Sequence, residues 1–293
     1  LRTIDVTAPE VSVIIGTFNR ADMLRDSILS LDGLRTDRRR PYEVICVDNG
    51  STDHTAQAVR PTASEVSFEL RILTERTKGV AAARNLGIAH ARGEWIAFFD
   101  DDQLADPRWL WELLRMAEEK RCRVVGGDVK LKLPASNRRN LDPVCRRLLG
   151  EMYGLQAACR FTRKHVPGTN NLMIHREVFD RIGVFDTTLL DGGEDADLYR
   201  RIRAAGYEAW FAPAAIVHHV IPEYRLETKY MRWTSARQGT HVALRELHDW
   251  GRWALPWVTL ARTGQACFRY VPRLVWAKML GDHEKALGAR CLL

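Results

Sequence analysis

"VSVIIGTFNRADMLRDSILSL", residues 11–31, changes its period part-way along. "VSVII" is a short apolar, β-branched run, the pattern of a strand buried on both faces. After "GTFNR" the apolar residues Leu24, Ile28 and Leu31 recur at spacings of four and three, which is one face of a helix. A strand followed by a helix predicts the start of a crossover unit, and the next residues test whether the alternation continues.

It does. "YEVICVD" (42–48) is a second strand, and "STDHTAQAV" opens a helix for which Ser51 is a plausible cap. "FELRILT" (68–74) is a third strand and the Ala-rich "GVAAARNLGIAHA" (79–91) a helix. "EWIAFFD" (94–100) is a fourth strand, after which Asp106-Pro107 reads as N-cap and first residue of the helix "PRWLWELLRMAEEK". Strand and helix alternating at this pitch predict parallel strands with crossover helices, a doubly wound α/β layer. The second half is less regular. "RVVGGDVKLKL" (123–133) is strand material in which Gly126-Gly127 allows a bulge or close backbone approach. Residues 134–166 are basic and aperiodic. "VPGTNNLMIHREVFDRIGVFD" (166–186) predicts a turn, a strand and a short helix. "GGEDADLYRRIRAAGY" (192–207) predicts a Gly-rich loop and a helix closed at Gly206, and "EAWFAP" and "AIVHHV" follow as two strands.

Open α/β sheets bind ligands beyond the carboxyl ends of their strands. "GTFNR" (16–20), "DNGSTD" (48–53) and "DDDQ" (100–103) all fall at such ends. Three adjacent carboxylates repel one another, and a divalent cation among them relieves that repulsion. Mg²⁺ and Mn²⁺ prefer carboxylate oxygen and bridge the phosphate oxygens of nucleoside diphosphates. Alternate residues of an extended segment point the same way, so Asp100 and Asp102 can converge while Asp101 faces elsewhere. A solvated acidic loop is the plainer reading of the triplet alone.

The run "VSVIIGTFNR…VICVDNGSTD…KGVAAARNLGIAHARGEWIAFFDDDQ…P" resembles the nucleotide-sugar half of GT-A glycosyltransferases of family 2. "GTNNLMIHREVFDRIGVFD…GGEDADLYRRIRAAGY…AIVHH" resembles their acceptor half, and together these cover about residues 10–240. The resemblance implies a GT-A fold: a Rossmann-like nucleotide-binding half (about 10–125) fused to an acceptor-binding half (126–225) over one continuous mixed sheet. A C-terminal helical extension (226–293) follows the catalytic domain (1–225). It also implies an inverting, metal-dependent transferase acting on a nucleoside diphosphate sugar, UDP-type favoured, with a glycan or lipid-linked acceptor.

Carried over by position, Thr17, Asn19 and Arg20 match the first nucleotide loop, Asp48 the acid that reads the base edge, and Arg84 an arginine near the nucleotide. Asp102 matches the direct metal ligand and Asp100 its partner towards the ribose. The family often has a small residue where Asp101 stands, so the division of labour within the triplet stays open. Each residue also has a structural reading: Asp48-Asn49-Gly50 as a tight turn, Thr17 and Asn19 as caps, Arg84 as the surface of an amphipathic helix. Asn170 and Asn171 are candidate contacts to donor sugar or acceptor, or residues that satisfy a turn.

An inverting transferase needs a carboxylate to take the acceptor hydroxyl proton as that oxygen attacks the anomeric carbon. A helix N-terminus holds such a base and favours its anion. The resemblance puts the base in the E-D pair: Asp195, with Glu194 as acceptor ligand or alternative base and Asp197 a third candidate for the acceptor. Of the adjacent His218 and His219 only one side chain can face the site. His219 fits better, as metal ligand or phosphate contact.

The net charge of +7 is concentrated at the end of the chain: from Glu223 onward there are 12 Lys/Arg against 6 Asp/Glu. Within it, Trp250, Trp253, Trp257 and Trp276 accompany Arg252, Arg262, Arg269 and Arg273, a mixture suited to a membrane surface, to packing on the domain or to dimerisation. Six cysteines without a CxxC pair suggest a reducing compartment. "LRTIDVTAPE" has no apolar leader core and no apolar run is long enough to span a bilayer, so the expected place is the cytoplasm, at most peripheral to the inner membrane face. Nothing points to nucleic acid. A sugar-nucleotide pyrophosphorylase would want a Gly-rich signature where "GTFNR" stands, and a non-catalytic sugar-binding module would have lost the acids.

Overall fold

The computed structural model describes residues 8–35, 41–137, 139–152, 154–162, 165–190 and 192–293, apart from the side chains of residues 241, 245, 248 and 249. The first seven residues, which open the segment read for a leader, lie outside the described residues.

In chain order the first elements are β1 (Val11–Thr17), α1 (Ala21–Asp32), β2 (Tyr42–Asp48), α2 (Thr55–Val59), β3 (Glu69–Thr74), α3 (Val80–His90) and β4 (Trp95–Asp100). Then come β5 (Gln103–Ala105), α4 (Trp109–Lys120), β6 (Val124–Lys132), α5 (Pro143–Leu148), β7 (Cys159–Arg160), β8 (Asn171–His175), α6 (Arg176–Ile182), α7 (Glu194–Ala204) and β9 (Ala209–Val220). The chain ends in α8 (Thr228–Trp250), α9 (Leu255–Gln265), α10 (Val271–Met279) and α11 (His283–Leu292).

Among the described residues the strands form one nine-stranded sheet in the order β3-β2-β1-β4-β8-β6-β9-β5, with β7 added on β9. The first four are parallel. β8 runs antiparallel to β4 and β6, and β9 antiparallel to β5 and β7. The sheet is therefore mixed, with a doubly wound first half. The predicted stripe of α1 is its buried face: Leu24, Ile28 and Leu31 are each at most 1% exposed. Each contributes roughly 1.5–3 kcal/mol by leaving water.

Register sets the site. Thr17 lies opposite Asp48 at the ends of β1 and β2, and Gly16 opposite Asp100 at the ends of β1 and β4. Strand order grows from β1 through β2 to β3 on one side and resumes with β4 on the other. The crevice at such a reversal is where open α/β sheets bind ligands.

Local details differ from expectation in three places. Ser51 does not cap α2, which starts at Thr55 after His54 with no side-chain cap, and Asp53 accepts from Thr55 N at 2.9 Å in the preceding turn. Asp106 closes a turn, accepting from Arg108 N at 3.0 Å, and α4 begins only at Trp109. "EAWFAP" and "AIVHHV" are one strand, β9. Pro213 lies between the residues that pair with β7 (210–211) and those that pair with β5 (217–219), so its missing N–H breaks neither ladder. Gly127 does mark a close approach, since a Cβ there would lie 2.2 Å from the Ala215 carbonyl oxygen.

By contacts the chain divides into two compact units, Leu1–Lys130 with Gly154–His219, and Leu131–Tyr153 with Val220–Leu293. The second has its own core of Leu141, Val144, Cys145, Leu149, Ile221, Leu226, Met231, Leu287 and Cys291. Its α5 is capped by Asp142, which accepts from Val144 N at 2.9 Å and pairs with Arg273 at 2.7 Å. No described helix is long and apolar enough to cross a membrane.

Candidate active site

Every candidate residue named from the sequence lies in the first unit. The organising group is Arg84, on α3 and 8% exposed. Its guanidinium donates to Glu194 Oε1 at 2.9 Å and Asp195 Oδ1 at 3.1 Å, lies 3.9 Å from Asp100, and is stacked on Phe185. One buried cation thus joins the end of β4 to the start of α7. The amphipathic-surface reading of Arg84 gives way to this arrangement.

Gly192 and Gly193 precede α7 with φ of +108° and +97°, a backbone that L side chains resist, so the chain can turn sharply into the helix. Glu194 and Asp195 follow in the first turn, beside the backbone N–H groups of the helix start, which favour anions. Asp195 is also gripped by Thr169, whose hydroxyl donates to Oδ1 at 2.5 Å and whose N–H donates to Oδ2 at 3.2 Å. The Asp195 side chain remains 34% exposed, against 9% for Glu194. Burial, then the neighbouring Asp195 charge, raises the Glu194 pKa, and Arg84 opposes both.

The acidic triplet divides its work. Asp101 turns back, accepting from the Thr17 hydroxyl at 2.7 Å, while its carbonyl accepts from Ser27 at 2.8 Å. Asp101 and Thr17 therefore hold each other and brace the strand ends, which explains the residue the sequence left open. Asp102 lies 3.3 Å from His219 Nε2 and 3.6 Å from Arg20 Nη1. β5 creates that meeting, because Gln103 pairs with His219 across the ladder. Asp100 has its pKa pushed up to about 7, first by loss of solvation and then by Asp102 and Asp101, with Arg84 and His219 pulling it down. Gln103 accepts from Asp100 N at 3.1 Å, and its Nε2 is buried without a partner among the described residues.

Among the described residues no three His, Cys, Asp or Glu side chains are arranged as a ready-made metal site. The chemistry of the donors nevertheless fits a divalent cation whose shell is completed by its ligand. Asp100 and Asp102 offer hard oxygen, His219 offers imidazole nitrogen, and the orphaned Gln103 amide can donate to an oxygen nearby.

Asp48 is 6% exposed and accepts from Ser51 N at 3.0 Å, so the tight-turn reading holds for one of its oxygens. Asn19, with φ of +52°, clips two loops together: its carbonyl accepts from Thr52 N at 2.8 Å and its N–H donates to Ser51 at 2.9 Å. It caps no helix, and its side chain serves loop 51–53. Asn171, expected at donor or acceptor, is 2% exposed and consumed by the fold. Its oxygen accepts from Trp109 Nε1 at 2.8 Å and its amide donates to the Asp128 and Ala215 carbonyls, each at 2.9 Å. Asp197, expected at the acceptor, is held by Arg200 and Arg201 at 2.7 and 2.8 Å, and Arg201 ties α7 to carbonyls 182–184. Asn170 sits in the turn before β8, half-buried.

Sequence reading missed Thr169, Phe185, Gln103 and Asn49. Asn49 joins β2 to the loop before α3 by accepting from Gly79 N at 2.9 Å and donating to the Thr77 carbonyl at 2.7 Å. Thr169, Gln103 and Asn49 each stood beside a residue already singled out, Asn170, Asp102 and Asp48, and only Phe185 did not.

A mixed sheet with an acid-lined crevice over its parallel ends is the GT-A fold. The chain belongs to glycosyl transferase family 2, whose model matches residues 12–183. It is a glycosyltransferase. Among its relatives, "Glycosyltransferase AglE" of Haloferax volcanii is 28% identical over 73% of this chain and 67% of its own length. "Succinoglycan biosynthesis protein ExoM" of Rhizobium meliloti is 25% identical over 80% of this chain and 74% of its own. This chain spans about half, 55%, of "Probable glycosyltransferase YdaM" of Bacillus subtilis. In structure it is similar to residues 1–349 of S. aureus TarS, with TM-score 0.56 and 16% identity over 96% of this chain and 90% of that one.

Proposed function

We propose that this glycosyltransferase moves a sugar from a nucleoside diphosphate sugar, UDP-type favoured, to a glycan or lipid-linked acceptor with inversion at the anomeric carbon. Asp195 takes the proton of the attacking acceptor hydroxyl, the acceptor oxygen bonds to the anomeric carbon, and the bond to the nucleoside diphosphate breaks on the opposite face. Glu194, buried against Arg84, positions the start of α7 and is the alternative base. Asp102 and Asp100, with His219, would hold Mg²⁺ or Mn²⁺. Such a cation supplies charge neutralisation to the departing diphosphate. Arg20 joins that electrostatic work from 3.6 Å, Asp48 reads the base edge, and Asn170 remains a candidate sugar contact.

The observation that carries this reading is the Arg84 bridge. It ties the accessible carboxylate of Asp195 to the acidic strand end at Asp100, so an anionic nucleotide and a general base share one crevice. Asp195→Asn tests it. Nucleoside diphosphate binding should be unchanged within about twofold while transfer falls on the order of 10²–10⁴-fold, the usual worth of a positioned base. Full turnover in that variant refutes the assignment, and an anomeric configuration retained in the product refutes inversion.

A further inference from the structure

From Leu255 to Met279 the second unit carries one unbroken helical run: α9, a π turn over Ala266–Tyr270, and α10. No residue of α9 or of the π turn is buried. Yet this run and its approach expose Trp253 (94%), Trp257 (74%), Leu260 (65%), Phe268 (87%), Val275 (50%), Trp276 (63%) and Met279 (74%). Single exposed apolar residues are ordinary, but a contiguous series of this size marks a contact surface.

The spacing makes it a surface. Residues 253, 257, 260, 264, 268, 271, 275 and 279 follow one another at intervals of three and four, a single helical stripe. A regular α-helix loses that stripe slowly over so many turns. The π turn takes up extra residues in one turn, keeping Phe268 in line with Trp257 and Met279, and it also accommodates Pro272, which would otherwise clash one turn back.

Charge decides the occupant. Between Asp249 and Asp282 the chain has five basic residues, Arg252, Arg262, Arg269, Arg273 and Lys278, and not one acid. Arg262 and Arg273 pair with Glu246 and Asp142 of the same unit, and Arg252, Arg269 and Lys278 are exposed. A second copy of this stripe would set like charges against each other. An anionic bilayer matches them, and Trp at a polar–apolar boundary is suited to the headgroup level. We propose that the Trp253–Met279 stripe docks on the surface of an anionic phospholipid bilayer, lying in its plane. The inference adds a lipid partner to the proposed reaction and rests on that reading only for its purpose, to meet a lipid-linked acceptor.

Flotation of the full chain with phosphatidylcholine vesicles, plain or with about a third phosphatidylglycerol, tests it. The chain should float with the anionic vesicles, shift its tryptophan emission to the blue, and be released by added salt. Trp257→Ala with Phe268→Ala, both largely exposed residues, should weaken binding at least tenfold. Each of Arg252→Glu and Arg269→Glu should weaken it roughly fivefold or more, since a cation near such a surface contributes about that factor. UDP binding, measured on the same preparations, should be unaffected. Equal binding to both vesicle types, no binding to either, or a self-association abolished by the same substitutions overturns the proposal. Loss of UDP binding with vesicle binding intact would instead count against the transferase chemistry.

Discussion

Removing the Arg84 cation should unfold the crevice from within, and the cost follows from what it touches. Arg84→Met keeps much of the apolar stem but leaves Glu194, 9% exposed, with no partner for the oxygen that accepted at 2.9 Å. Breaking a buried ion pair by deleting one partner costs about 3–5 kcal/mol. The Asp195 contact adds little to that, because its side chain is a third exposed and water can replace the lost cation, and Asp100 is 3.9 Å away. About 3–5 kcal/mol should lower the melting temperature by roughly 5–8 °C for a chain of this size. The pH dependence gives the mechanism away. Glu194 already has a folded-state pKa above its ordinary value, which Arg84 holds down. A raised carboxyl penalises folding above its folded pKa, and acidification through that pKa relieves the penalty. Without Arg84 the penalty grows, so the deficit should be largest at alkaline pH and shrink as the pH is lowered and Glu194 takes up a proton. Thermal melts of both proteins over a series of pH values measure it. A deficit below about 1 kcal/mol at alkaline pH, or one that does not change with pH, would show that packing rather than charge holds Arg84.

Other outcomes follow from the same geometry. Thr169→Val removes the 2.5 Å hydroxyl contact to Asp195 and should lower kcat by about tenfold or more with little change in donor KM; a change in KM alone would count against a positioning role. Because Asp100 is pushed up to about 7, divalent-cation-dependent UDP binding should weaken by up to about tenfold per pH unit as pH falls below 7 and level off above it. Titration calorimetry from pH 6 to 8 checks this, and Asp100→Asn should flatten the profile. Asn171→Ala leaves the buried Trp109 N–H without its acceptor and removes the amide's bonds to the Asp128 and Ala215 carbonyls, and should destabilise by roughly 1–3 kcal/mol. The enzyme that remains folded should keep its donor KM, whereas a direct sugar contact would raise it.

The parts of the fold visible in the sequence were those specified by local period. β1, β2 and β4 and the stripe of α1 are written in consecutive residues, because burial on both faces or on one helical face imposes a pattern within a dozen positions. β5 escaped because three residues carry no period, and only pairing with β9, more than a hundred residues on, makes them a strand. β7 lay hidden in the aperiodic basic stretch for the same reason. At the site, residue type announced chemistry but not whether that chemistry was already spent. Asp197 and Asn171 read as free to meet a sugar, and the structure uses them on Arg200, Arg201, Trp109 and two carbonyls. Thr169 was invisible as a partner of Asp195, since a hydroxyl in a turn looks the same whether or not a carboxylate waits across the crevice.

The β5–β9 ladder makes the choice between two neighbouring histidines a matter of counting. His219 meets Asp102 because it lies opposite Gln103, and His218 lies opposite Leu104. Side chains alternate across a strand, so a slip of one residue would turn His219 away and carry His218 towards Asp102's side of the sheet. One residue inserted between Pro213 and Val217 would therefore set His218 opposite Gln103 in place of His219, whereas two would set Val217 there and take the imidazole away from Asp102.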